Sequence, residues 1–366
     1  MTPVELSRSV LHAVRCAVDD GELSVVVPSR VVVGRPGPGG CGDYATNVAL
    51  QLAGPAGQPP LRVAALLRAY LAREAGVTDV EITGPGFLNI SLDRAATSAA
   101  LVRRILREGL RYGHTDTVAG QVFVLCVPYE VRAEVLADVL ARMVGSQGGR
   151  VEVGHGGAVN LRPVPAPEDP ALLGPDAARW ALLHPAPHDR PRITADHLVQ
   201  RESNPLFRIR YAHARSRAVS RNAADLGFTT TGPERDVTTD AATDVTTGAA
   251  TDVTTHAATD VTEVEEVEEL EAAGAPDLAR LLADHPRVLA TAVALPHADA
   301  QAAPSRLTRH LLALADATLL HLPAVLPRGD EKPSAAHRSR LALAEAAGTV
   351  LAGGLSLLGI DAPDHL

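Results

Sequence analysis

The sequence predicts three units in series: an α+β N-terminal module, a short α/β remnant, and an all-α helical bundle. Strand-like and helical runs alternate over residues 1–112. One apolar strand and one helix at 122–144 then stand before a proline-rich stretch from Arg162 to Asp176. From Asn204 onward the apolar runs have helical spacing, with Pro or Gly at their ends. The boundaries that follow are 1–112, 113–200 and 201–366, the last carrying an insertion at about 234–271.

In the first unit, residues 1–20 form an amphipathic helix whose apolar side carries Val4, Leu6, Val10, Leu11, Val14 and Val18. Val25–Val27 and Val31–Val33 are expected as strands, and the Gly/Pro-rich loop Gly34–Gly42 lacks the Lys-Ser/Thr of a phosphate-binding loop. Asp43 is placed to cap a helix over YATNVALQLA, and a second helix is expected over Leu61–Ala75. Glu81–Leu92 reads as two strands around Gly84-Pro85-Gly86, and a further helix ends near Arg111.

The second unit holds the strand Val122–Val127, the helix Val131–Val144, and a loop at Gly154-His155-Gly156-Gly157. The third opens with NPLFRIRYAHARSRAVSRN, where Asn204 caps and Pro205 suits the first helical position. At about 100° per residue, Phe207, Tyr211, Ala214 and Ala218 share one stripe and Ile209, Ala212, Ser216 and Val219 another, which predicts burial on two sides. Arg210, Arg217 and Arg221 line one border, with Arg208 and Arg215 nearly opposite. Such a helix is either a core element with snorkelling arginines or a nucleic-acid-binding one. Residues 236–267 repeat every eight residues (DVTTDAAT, DVTTGAAT, DVTTHAAT, DVTEVEEV), which reads as a disordered insertion rather than a calcium site. Three bundle helices follow Asp277.

Composition narrows the class. Of 366 residues 46% are hydrophobic but only 3% aromatic, so Ala, Leu and Val must fill the core, which suits helix packing. No apolar run approaches the roughly 20 residues that span a bilayer, and the N-terminus lacks a basic-then-apolar leader; a cytoplasmic protein without a membrane partner is expected. Cys16, Cys41 and Cys126 form no CxxC pair, so inert buried thiols are expected rather than disulfides or a zinc site. The net charge of −9 is local: Glu234–Glu271 holds twelve acidic residues against Arg235, a net −11, which leaves +2 elsewhere. A near-neutral body with arginine clusters is compatible with RNA.

Several motifs resemble those of one family. NPLFRIRYAHARSRAV, with Asn204, Pro205, Phe207, Tyr211, Ala212, His213, Ala214 and Arg215, is similar to the start of the anticodon-binding domain of arginyl-tRNA synthetases. GDYATNVAL at Gly42–Leu50 and EITGPGFLNISL at Glu81–Leu92 resemble the paired signatures of that family's N-terminal additional domain, and LLGIDAP resembles its closing segment. The resemblance implies an elbow-docking α+β module, a remnant of the α/β nucleotide-binding domain and an anticodon-binding helical bundle of the DALR type. By position it implies that Phe87 stacks on a base and Asn89 reads a base edge, the alternative being core and turn roles. Arg210, Tyr211, His213, Arg215 and Arg217 would face the anticodon stem-loop.

The resemblance stops at the chemistry. Class I synthetases place two histidines of His-x-Gly-His at the first strand-to-helix junction, where this chain has Pro128-Tyr129-Glu130, and the only lysine is Lys332, far from any Lys-Met-Ser-Lys-Ser. No catalytic residue, metal or cofactor is therefore expected. The expected partner is tRNA, specifically tRNA(Arg), for a non-catalytic paralogue. The alternatives are an arginine–tRNA ligase with a cryptic or split site, which would need ATP, and a scaffold that binds a protein partner.

Overall fold

A computed structural model describes residues 3–37, 40–74, 76–155, 157–230, 275–294 and 298–366. The repeat expected as a disordered insertion at 234–271 lies outside the described residues.

The N-terminal module contains α1 (Pro3–Asp19), β1 (Val33–Gly34), β2 (Tyr44–Thr46), α2 (Val48–Ala56), α3 (Pro60–Leu71), β3 (Val77–Thr83) and β4 (Phe87–Leu92). Its sheet runs β1-β2-β4-β3, antiparallel throughout. Leu6, Val10 and Val14 of α1 are buried with Val63, Leu67, Leu71, Leu88 and Ile90 in one apolar cluster. The β3–β4 hairpin turns at Gly84 and Gly86, whose φ values of 53° and 135° suit a residue without Cβ. Three expectations fail here. Val25–Val27 lies outside any strand, and of Val31–Val33 only Val33 enters one. Tyr44-Ala45-Thr46, expected as helix, pairs instead with Leu88–Ile90, and the helix starts at Val48. Asp43 is not its cap: the carboxylate accepts from Leu92 N at 3.0 Å and joins the sheet to the preceding loop.

The helix α4 (Arg94–Glu108) leads into a unit built from β5 (Val122–Cys126), α5 (Val131–Gly145) and β6 (Arg150–Gly154). The two strands are parallel, so the unit is a single βαβ crossover. A helix α6 (Pro175–Leu183) follows. Arg132 of α5 is fully buried and donates five hydrogen bonds of 2.7–3.1 Å to the carbonyls of Val164, Leu182, Pro185, Ala186 and Asp189. All five guanidinium donors are thereby used, and they fold the proline-rich connection around one side chain.

The bundle comprises α7 (Pro205–Asp225), α8 (Ala275–Ala290), α9 (Ala303–His321) and α10 (Ala335–Leu358). Gly348 lets α7 approach α10 closely, since a Cβ there would lie 3.1 Å from Ser216 Cβ. By length and composition α10 could cross a membrane, a run the expectation of no spanning segment overlooked because it is alanine- and glycine-rich. Its faces are largely buried against α7 and α9, as in a core helix. Gly359 (φ 70°) ends it, and Arg142 and Arg179 donate to the terminal carbonyls of Ser356 and Leu358 at 3.4 and 3.0 Å. The three cysteines are free and half-buried rather than fully buried.

Candidate nucleic-acid interface

The helix α7 is fixed at its start by its own cap. Asn204 Oδ1 accepts from Leu206 N at 3.1 Å, while its Nδ2 donates to the carbonyls of His197 and Val199 at 2.9 Å each. Leu206, Ile209, Ala212, His213, Ser216, Val219 and Ala223 are buried, which forms one broad face against α9 and α10. The other stripe is covered in part: Ala214 is buried and Ala218 half-buried, so burial on two sides holds except around Tyr211. There Phe207 is half-buried, and Tyr211, 38% exposed, stacks on it with ring centroids 5.6 Å apart. The exposed ring is a surface on which a base could stack.

The arginines are less free than the helical wheel suggests. Arg210 pairs with Asp176 and donates to Asp361 O at 3.0 Å. Arg217 Nε lies 3.2 Å from Asp364 Oδ1, and Arg221 lies 3.5 Å from Asp364 O. Arg208 pairs with Asp316. Arg215 is exposed and has no ion-pair partner among the described residues. The segment after α10 therefore lies along the Arg210, Arg217 and Arg221 border, a placement the wheel could not reveal. The one side-chain signal was the Asp364 carboxylate, some 140 residues away, since Asp361 takes part through its backbone carbonyl.

His213 is only 4% exposed, which corrects its expected place on the surface. Its Nδ1 is 3.1 Å from Gly348 O, and because a carbonyl only accepts, that nitrogen carries the proton. Nε2 then carries one only when the ring is charged, and it lies 3.4 Å from Asp364 Oδ1. Burial pushes the His213 pKa down against the raising effects of Gly348 and Asp364. Desolvation raises the Asp364 carboxyl, but Arg217 and His213 outweigh it and hold the group below its ordinary value.

In the N-terminal module, Phe87 opens β4 and is 40% exposed. Asn89 is 2% exposed, and its Nδ2 donates to Thr83 Oγ1 at 2.7 Å. An amide committed inside the hairpin cannot read a base edge from this position, so Asn89 is a positioning residue there. Phe87 and the α7 side chains lie in separate units and do not form one cluster.

The strand-to-helix junction of the middle unit is structural. Glu130 caps α5 by accepting from Ala133 N at 2.9 Å, and its other oxygen accepts from Ala166 N at 3.2 Å. His155, read as a loop residue after the helix, is nonetheless brought to this edge because the parallel register sets Gly154 beside Cys126. Its ring meets the exposed Tyr129 edge-on at 4.4 Å, and Nε2 pairs with Glu134 at 2.7 Å. Among the described residues no cluster of His, Cys, Asp and Glu could hold a metal ion.

Residues 7–92 match the family described as arginyl tRNA synthetase N terminal domain, and residues 209–366 match the DALR anticodon binding domain. An arginine–tRNA ligase of Renibacterium salmoninarum is 42% identical over 164 residues, which cover 41% of this chain and 30% of that protein. One from Kineococcus radiotolerans is 46% identical over 124 residues, covering 33% of this chain and 22% of that protein. The chain thus spans less than a third of the length of these relatives. Thermus thermophilus arginyl-tRNA synthetase shares the fold, with a TM-score of 0.60 and 14% identity over the full length of both chains. With two family domains in the same chain, the protein belongs to the arginyl-tRNA synthetase family.

Proposed function

We propose that the protein is a non-catalytic tRNA-binding paralogue within its family, acting in the cytoplasm and selective for tRNA(Arg). The observation that carries this reading is the stretch between the two matched domains, residues 93–208, where the strand-bearing part is one βαβ unit. The carboxyl edge of a wider parallel sheet is where α/β folds bind nucleotides. Here that edge has two strands, and its junction glutamate serves as a helix cap. Tyr211 would stack on an unpaired base and Arg215 would meet phosphate, with Arg217 and Arg221 joining once Asp364 withdraws. Phe87 would supply a second, separate contact, while Asn89, His213 and Arg210 hold the surfaces in shape.

Filter binding with tRNA(Arg) against mixed tRNA tests the reading. Preferential binding at moderate salt is expected, reduced by Tyr211→Ala and Arg215→Glu, with no arginine-dependent ATP–pyrophosphate exchange. Equal binding of both tRNA samples would remove the tRNA(Arg) assignment, and exchange activity by the purified chain would restore the enzyme alternative.

A further inference from the structure

Among the described residues, the two strands of the middle unit are left open on one face and one edge. Phe123, Leu125 and Val151 pack toward α5, whereas Val122 and Val124, on the opposite face, are 52% and 55% exposed. Parallel strands are ordinarily covered on both faces. The edge is open as well. Arg150 N donates to Gln121 O and Val127 N to Gly154 O, so residues 150, 152 and 154 turn their backbone groups toward β5. Val151 and Val153, alternating with them, turn N–H and C=O outward, where no other segment among the described residues bonds them. Arg150 and Glu152 stand beside this edge, paired with each other and with side chains 71% and 53% exposed.

We propose that the outer edge of β6 joins a second copy of this chain about a twofold axis at Val151, which merges two βαβ units into a four-stranded sheet. The antiparallel register is set by charge. With the axis at Val151, the two Val151 residues exchange both backbone hydrogen bonds, and Arg150 lies directly opposite the partner's Glu152, twice by symmetry. Moving the axis one residue either way would place Arg150 opposite Arg150 or Glu152 opposite Glu152, which like-charge repulsion disfavours. The edge is thus complementary to itself in one register and repels itself in the two neighbouring ones. Such pairing satisfies the outward N–H and C=O groups, which otherwise form a template for any strand.

Sedimentation equilibrium of the full chain at low salt tests this. A monomer–dimer equilibrium is expected, and R150E or E152R alone should raise the dissociation constant by about tenfold or more, because either sets two like-charge pairs across the axis. The double exchange R150E/E152R puts opposite charges back across the axis and should restore dimerisation. Circular dichroism checks that the variants stay folded, as expected at exposed positions. The inference is overturned if the chain stays monomeric at all concentrations, if a dimer ignores the single exchanges, or if the double exchange does not restore it.

Discussion

The N-terminal module and the βαβ unit are both mixed α/β pieces, yet they are stabilised in different ways. The former draws its apolar cluster from residues 6–92 alone, and its four strands close around α1, α2 and α3. The latter has no core of its own: Leu125, Leu136, Leu140 and Met143 belong to one cluster with Trp180, Leu282, Leu311 and Leu355. Continuity of buried apolar surface, rather than the number of strands, decides which piece can unfold separately. The βαβ unit is in effect part of the helical bundle.

The comparison is broken most directly at Arg132. Arg132→Ala strands five carbonyls, one in a buried and four in part-buried hydrogen bonds, and since an orphaned buried group costs about 1–3 kcal/mol, and a part-buried one less, the loss should reach on the order of 5 kcal/mol. Urea unfolding followed by circular dichroism should show the bundle transition moving to lower denaturant while the N-terminal transition stays in place. Leu88→Ala, at a fully buried position in the first cluster, should do the reverse at a cost of about 2–5 kcal/mol. Coincident shifts of both transitions in either variant would show that the two clusters unfold as one.

Acid should sharpen the contrast. His12 is the one histidine in residues 1–92, whereas burial lowers His184, His213, His285 and His321 in the rest of the chain and pushes His310 down to about 4. Between about pH 6.5 and 4 the unfolded chain takes up a proton that folded His310 refuses, so stability falls as pH falls through that window. For His310 alone, with its pKa lowered from 6.5 to about 4, the full loss is roughly 3–4 kcal/mol. His310→Gln should flatten the pH dependence of the bundle transition and leave the N-terminal one unchanged. An unaltered slope would show that the pH dependence arises from other groups.

What the sequence made legible was local. The Asn204-Pro205 start of α7 and the Gly84-Pro85-Gly86 turn are short-range signals, and both stand where expected. Tyr44–Thr46 was misjudged because pairing with Leu88–Ile90, more than forty residues later, overrides local helical spacing. Arg132 gave no signal, since its partners are backbone carbonyls from several turns of the proline-rich connection. Of the candidate site, the exposure of Tyr211 departs from the buried stripe that the helical wheel expects, while Arg215, without an ion-pair partner among the described residues, stands on the side opposite Arg210 and Arg217 as the wheel places it. The burial of His213 and Asn89, and the pairing of Arg217 with Asp364, depend on contacts across the fold that no periodicity encodes.

The segment after α10 has a kinetic and thermodynamic consequence of its own. Ile360 is 3% exposed and anchors it, so the Asp364 carboxylate is tethered four residues from a fixed point beside Arg217. A tethered group of this kind competes at an effective concentration on the order of millimolar, without diffusing to its site. Any phosphate that reaches Arg217 must outcompete this resident carboxylate, which lowers the apparent affinity of that arginine and favours anions able to engage Arg215 and Tyr211 first.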